Sequence, residues 1–388
     1  MQLAFNILFF FIVPAFWLGM IRTYLIYKKR VNRERKLFDS AINAHHTEIK
    51  TFIISMILLG IVGSIFTAAL GIEVSYAWIA FYELLVMVAL LIPGAIFPVS
   101  ILFISMIPIV FLGDNFFYLI TSGNFSTILQ EHNAETLDFM SLVTIVLVLQ
   151  YLFLKFNRKS INSPIIEKNI RGNKFASYAF NKISVVPLIL LIPGDLFNST
   201  SAFWPIFKIY GVKVTILVVP FLIGFNLRFF NQMPENIMKR MANAIGWLAW
   251  LSLGLTVDAF VWKSSIFDVI SILVIFFAYW LVLRHFKKVD RKASNPVEQS
   301  IDGIRVLGVK ADTPASKMGL KIGDLIIEVN GQKVTNEDQL YKALQTKPTF
   351  CRIKIMNRND RLEIKEEAIF ADAPHEIGIV TFPSDDKL

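Results

Sequence analysis

The chain has 388 residues, 55% of them hydrophobic and 13% aromatic, with 18% charged and a formal net charge of +9. Ordinary soluble domains carry roughly a quarter charged residues, so this composition excludes a purely soluble enzyme, and its aromatic content excludes a disordered chain. Cys351 is the single cysteine, which excludes an internal disulfide and a cysteine-based metal cluster.

A membrane helix needs ~20 mainly apolar residues. Residues 3–27, 52–70, 139–156, 214–230, 241–262 and 266–286 meet that requirement. The first is too long for a signal-peptide core of ~7–15 residues and reads as a retained helix. The stretch 76–112 is long enough for two helices, with a break at Pro93, Gly94 and Pro98. Residues 183–207 are interrupted by Pro187, Pro193, Gly194, Asp195 and Pro205, and are expected to form one irregular span plus an interfacial stretch.

Charge sets the orientation. From residue 294 onward, 13 Lys and Arg stand against 15 Asp and Glu, whereas the preceding part holds 26 against 15. The basic excess sits in short segments at 28–36, 155–182, 228–240 and 284–292, the pattern of cytoplasmic loops and not of a nucleic-acid surface. Residues 113–138 carry Asp114, Glu131, Glu135 and Asp138 with no Lys or Arg, which suits the outside. The expectation is about nine spans, or eight if the first or sixth only dips into the bilayer, with the N-terminus outside and the C-terminus cytoplasmic.

After residue 293 the chain reads as soluble: a polar linker (Ser294, Asn295, Pro296), strand-like runs at 304–309, 325–329 and 351–356, and an amphipathic helix at 336–345 capped by Asn336. The order Thr313-Pro314-Ala315, Gly319-Leu320, Gly323-Asp324 and Asn330-Gly331 resembles a bacterial PDZ domain over 297–382. Asn330-Gly331 predicts a type I′ hairpin turn. The fold class is therefore a polytopic α-helical membrane domain (1–293), a small α+β PDZ domain (294–382) and a polar tail (383–388).

PDZ domains add a peptide or free C-terminus as a strand to an open sheet edge, and a hydrophobic–Gly–hydrophobic loop receives the carboxylate. Ile377, Gly378, Ile379 and the following Val380 fit that loop by type, in a permuted arrangement. Leu340, Tyr341 and Leu344 of the helix would form the opposite wall, or Leu340 and Leu344 would simply be core. Gly378 is expected to leave the carboxylate room, so that a bulky residue there blocks ligand with little effect on folding. The chain's own tail, ending in Leu388, offers a ligand for a neighbouring molecule, hence possible self-association.

Enzyme chemistry finds no support. The five His include no H-E-x-x-H pair, and no trypsin-like domain, Ser-Lys domain, P-loop or dinucleotide motif is present. No catalytic residue, metal or cofactor is expected. Glu83, Asp195, Asn226, Arg228 and Asp258 are the polar residues noted inside spans, read as helix-end or helix-contact groups.

The layout, with the motif Arg30-Val31-Asn32-Arg33-Glu34-Arg35-Lys36 after the first span, resembles the MinJ family of Gram-positive cell-division topological determinants. That resemblance implies an adaptor in the cell membrane, enriched at septa and poles, bridging a DivIVA-type scaffold to MinD. The residues themselves reach only a membrane-anchored peptide-binding adaptor. The alternative is a transporter or channel with a regulatory PDZ cap, faintly favoured by the breaks Pro93-Gly94 and Pro193-Gly194.

Overall fold

The structure, a computed structural model, describes residues 2–43, 45–92, 98–112, 136–158, 163–168, 172–193, 207–209, 212–232, 234–262, 264–293, 297–358, 360–368 and 377–383. The break at 93–97, the acidic stretch 113–135, Asp195 with Gly194, the linker 294–296 and the tail from 384 lie outside those residues.

The first apolar stretch is two helices, α1 (Gln2–Ile12) and α2 (Pro14–Phe38), because Pro14 opens a new helix where its missing N–H costs nothing. Then come α3 (Thr47–Leu70), α4 (Tyr76–Leu91), α5 (Pro98–Leu112) and α6 (Thr136–Asn157), so the stretch 76–112 divides in two as its prolines imply. Farther on lie α7 (Pro234–Trp262) and α8 (Ser265–Lys292). Among the described residues, four helices are long and apolar enough to cross a membrane: Thr47–Leu70, Thr136–Asn157, Glu235–Trp262 and Ile266–Lys292.

Two expected helical spans are strands. Of the stretch 183–207, residues 183–193 fall on β2 (Lys174–Pro193) and 194–206 lie outside the described residues, while 214–230 falls on β4 (Val212–Phe229) but for its last residue; the two strands are an antiparallel pair in unbroken register from Tyr178 opposite Phe229 to Pro193 opposite Val214. Short β1 (Pro164–Lys168) flanks β2, and β3 (Phe207–Ile209) flanks β4. Hydropathy is blind to this difference. A strand buried on both faces reads as a continuous apolar run, just as a membrane helix does. The β-branched content (Val185, Val186, Ile189, Ile192, Val214, Ile216, Val218, Val219) was the available signal. Val185, Val186, Leu188, Leu190, Leu217, Val219, Phe221, Ile223 and Phe225 are all fully buried, so the hairpin fills the middle of the helical domain.

A strand pair among helices must satisfy the outward backbone groups of both edges. Leu191 of β2 bonds outward to Ile72 and Val74, each at 2.9 Å. Its cross-strand partner Ile216 accepts from Asn6 Nδ2 at 2.8 Å. Counting by twos, Pro187 and its partner Pro220 also face outward, so neither proline removes a ladder bond. The Pro187 carbonyl accepts from Ser64 Oγ, 3.1 Å away. On β4, Leu222 N–H donates to Tyr82 Oη at 3.1 Å. Gln150 serves both groups of Gly224, donating from Nε2 to its carbonyl at 2.9 Å and accepting its N–H on Oε1 at 3.1 Å. Gly60 and Gly63 let α3 lie against the hairpin: a Cβ on Gly60 would come 2.7 Å from Pro187 Cγ, and one on Gly63 would come 2.4 Å from Leu188 Cδ2.

Polar groups inside the helical domain have structural partners that sequence patterning did not reveal. Arg22, within α2, donates to the carbonyls of Ala89, Leu90 and Ile92 at 2.7–2.8 Å and closes the end of α4. In the motif 30–36, Arg30 pairs with Glu34 at 2.9 Å and with Glu48 at 2.5 Å, and Glu34 accepts from Ile42 N–H at 2.9 Å. This buried cluster fixes the turn between α2 and α3. Arg228 pairs with Glu167 at 2.8 Å.

The C-terminal module contains β5 (Ile304–Arg305), β6 (Gly308–Val309), α9 (Pro314–Lys317), β7 (Leu325–Val329), β8 (Gln332–Lys333), α10 (Glu337–Gln345), β9 (Phe350–Met356), β10 (Leu362–Ala368) and β11 (Ile379–Val380). One sheet runs β10-β9-β7-β5 with β8 on β7, and a second pairs β11 with β6. Asn330 (φ 50°) and Gly331 (φ 85°) form the expected I′ turn. The N-cap is also as expected, with Asn336 Oδ1 accepting from Gln339 N–H at 2.9 Å.

Candidate peptide-binding site

Strand β11 pairs antiparallel with β6, Ile379 opposite Val309 and Val380 opposite Gly308. Among the described residues no strand occupies its other edge. An untaken edge is what strand addition requires. The loop leading into β11 is pinned by its carbonyls: Ala315 N–H donates to Ile377 at 3.0 Å, Lys310 N–H to Gly378 at 2.8 Å, and Leu307 N–H to Val380 at 2.8 Å.

The structure divides the seven residues expected to bind peptide. Leu340 (7% exposed) and Ile377 (8%) belong to the module's own core. Val380 (3%) belongs to the core of the helical domain, together with Val297 and Leu307. Ile379 and Leu344 are half-buried and pack at the margin of the module core, while Tyr341 is 60% exposed. Ile379 and Leu344 are thus brought to one cluster, and Val309, which the sequence reading did not assign, joins them there. Its signal was its place in the strand-like run 304–309, which the structure divides into β5 and β6, with β6 opposite β11.

Gly378 needs a correction. Its φ is +86°, and a Cβ there would sit 2.2 Å from Thr313 Oγ1 and 2.4 Å from Thr313 Cβ. Glycine is required by this internal contact, so a bulky residue would disturb the module itself and not the groove alone. Thr313 is held in turn by donating Oγ1 to the Lys310 carbonyl at 2.7 Å.

Two further groups of the module are structural. Burial pushes the Asp324 carboxyl above its usual range even though it accepts from Lys321 N–H at 2.8 Å. Burial also pushes the Cys351 thiol up to about 12, which leaves it unreactive.

The site stands on the base of the hairpin. Tyr178 of β2 donates its hydroxyl to the Leu307 carbonyl at 2.7 Å, and Lys174 Nζ donates to the Pro383 carbonyl at 2.7 Å. Backbone bonds of 3.0 Å join Ala176 to Val297 and Gln299 to Lys174. Lys310 Nζ reaches Ser40 Oγ at 2.8 Å. The module is therefore seated on the same strand pair that runs through the helices.

Residues 305–355 match the PDZ domain family. Together with the apolar helices this defines the class: a membrane protein that carries a C-terminal PDZ domain. Over almost its whole length the chain is similar to proteins named MinJ. It is 28% identical over 373 residues to the probable cell division topological determinant MinJ of Lacticaseibacillus paracasei, covering 96% of each chain. It is 24% identical over 384 residues to the cell division topological determinant MinJ of Bacillus subtilis (strain 168), covering 97% of this chain and 94% of that one. The protein is MinJ-like. It is 45% identical over 53 residues to the periplasmic serine endoprotease DegP of Escherichia coli (strain K12), covering only 14% of this chain and 11% of that one.

Proposed function

We propose that this protein is a multi-pass adaptor of the cell membrane that helps position division, recruiting protein partners through a cytoplasmic PDZ domain and its basic inner loops. The observation that carries the reading is the MinJ likeness over nearly the full chain, which includes the helical domain and not the PDZ part alone. In the finer form of the proposal, the adaptor bridges a DivIVA-type scaffold to MinD and concentrates at septa and poles. It is not an enzyme: the likeness to proteases is confined to a short segment within the PDZ part. The adaptor reading is favoured over a transporter by the centre of the helical domain, which is filled with paired strands bearing fully buried side chains.

Peptide binding is assigned to the free edge of β11, with Ile379, Leu344 and Val309 as the apolar floor and Tyr341 at the margin. Gly378 keeps the loop in shape. The test pairs imaging with co-purification. A fluorescent fusion is expected at septa and poles, and a uniform membrane signal would refute the division role. Tyr341→Ala, at an exposed position, is expected to weaken recruitment of cytoplasmic partners by the full-length protein while leaving its thermal unfolding nearly unchanged. Undiminished co-purification would move the recruiting surface to the inner loops.

A further inference from the structure

Where α2 meets the start of α3 and the base of the hairpin lies a cavity of about 250 Å³. Lys29, Arg30 and Arg33 of α2 line it from one helical face, being three or four residues apart. Ser163, just before β1, and Asn181 of β2 line it as well.

Two acids border the cavity, and both are spent. Arg30 takes one oxygen of Glu34 at 2.9 Å and both oxygens of Glu48, at 2.5 and 3.1 Å. The second oxygen of Glu34 accepts from Ile42 N–H at 2.9 Å. All four carboxylate oxygens thus serve Arg30 and the α2–α3 turn. Lys182, also in the lining, donates to Thr51 Oγ1 at 3.3 Å, and the site does not depend on it.

Arg33 stands outside this arrangement. It is half-buried, and among the described residues its guanidinium has one hydrogen-bond partner, the Ser163 hydroxyl 3.0 Å from Nη2, while Nε is buried with none. Of the charged groups acting on it, Glu34 is negative, but Arg228 and Arg30 are positive. A cation so placed is costly until something negative reaches it. Lys29, one turn earlier on the same face, is exposed. Asn181 Oδ1 is buried without a partner, so its amide is not tied down by that end.

We propose that this cavity binds a phosphate group, with Arg33 and Lys29 as its cations and the Ser163 hydroxyl and Asn181 amide as its neutral donors. Ser163 accepts from Arg33 and keeps its own proton to donate. Donors from three separate segments suit the several oxygens of a tetrahedral phosphate better than the two of a carboxylate. A metal ion is disfavoured, because both acids are already paired. A free phosphate and a phospholipid headgroup present the same chemistry here, and the test separates them.

The test follows thermal unfolding of the full-length protein in neutral detergent. One arm adds sodium phosphate against sodium chloride of equal ionic strength, and the other adds phosphatidylglycerol against diacylglycerol with the same acyl chains. A saturable rise in Tm with phosphate identifies a free anion as ligand, and a rise with phosphatidylglycerol alone identifies the headgroup. No phosphate-specific rise in either arm would overturn the site. In Lys29→Gln/Arg33→Gln the half-saturating concentration should rise roughly tenfold or more. The control Lys28→Gln/Arg35→Gln removes equal charge from α2 at positions that do not line the cavity, and should titrate like the parent. Arg33→Gln alone separates binding from a structural role. Without ligand its Tm should equal or exceed the parent's, since a partly buried charge that no acid pairs has been removed. A lower Tm with the parent's half-saturation, or equal losses in the two double variants, would refute the proposal.

Discussion

Gln150 does for the edge of β4 what a further strand would do, offering one donor and one acceptor to the same residue. Its amide spans Gly224 N–H and C=O at 3.1 and 2.9 Å inside a fully buried region. Gln150→Leu keeps the bulk and orphans both backbone groups, each at roughly 1–3 kcal/mol. Equilibrium unfolding of the detergent-solubilised protein should therefore show a loss of about 2–6 kcal/mol. A loss below that of an exposed apolar substitution such as Leu251→Ala would contradict the edge-capping role. Gly378 is a second single-residue dependence. Gly378→Ala meets both a positive φ and the Thr313 side chain, so the full-length protein should lose on the order of 2–3 kcal/mol in the unfolding of its PDZ module. Nothing at position 378 in the sequence distinguishes a glycine that opens a site from one that fits beneath a threonine. Only the contact with Thr313 does.

The pairing of α3 with the hairpin turns on two glycines whose neighbours differ in stiffness. A Cβ on Gly60 would strike the ring of Pro187, which cannot turn away, whereas one on Gly63 would strike the ends of Leu188 and Leu149, which can change rotamer. Gly60→Ala should thus destabilise the protein more than Gly63→Ala does, a ranking that thermal unfolding in detergent can check. The reverse ranking would mean that α3 slides along the strands more easily than their packing implies. At this scale the sequence was informative wherever capping or turn chemistry was local. Asn336 and Asn330-Gly331 act as they read, whereas Pro14, inside a stretch read as one helix, starts a second one. It was uninformative where tertiary partners decide. Residues 183–193 and 212–229 become strands because Ser64, Tyr82 and Gln150 meet their edges, and no hydropathy window contains those partners. The strand Leu362–Ala368 escaped notice for the opposite reason, since Glu363, Lys365, Glu366 and Glu367 suit a solvent-facing edge and leave little apolar signal.

The two halves of the molecule meet over the base of the hairpin, where Val297, Leu307 and Val380 of the PDZ module enter the core of the helical domain. A sequence divides such a chain at its composition shift, and that division hides the seat because the residues forming it look like ordinary core on either side. Tyr178→Phe removes the hydrogen bond to Leu307 and should loosen the seat by about 1 kcal/mol. Faster amide exchange is expected in residues 304–309, with exchange in 325–329 unchanged. Equal protection at 304–309 would show that apolar contact alone holds the module. In the proposed topology the seat lies in the cytoplasm. A reporter active only in the cytoplasm should function when fused at Leu388 or within 157–182 and fail within 123–135. Activity at Asn124 would overturn that topology.

The hairpin also has a consequence for synthesis. Asn6, Ser64, Tyr82 and Gln150, and the segment 72–74, all precede residue 174 in the chain, so the ribosome delivers the cradle before the strands. A bare strand pair has no stable resting place in lipid, and it cannot be released sideways from a translocation channel as a helix can. Order of emergence is then part of the folding instruction. A circular permutant opening at residue 164, which makes the strands first, should reach the membrane poorly and be degraded, although every contact of the finished protein would remain available to it.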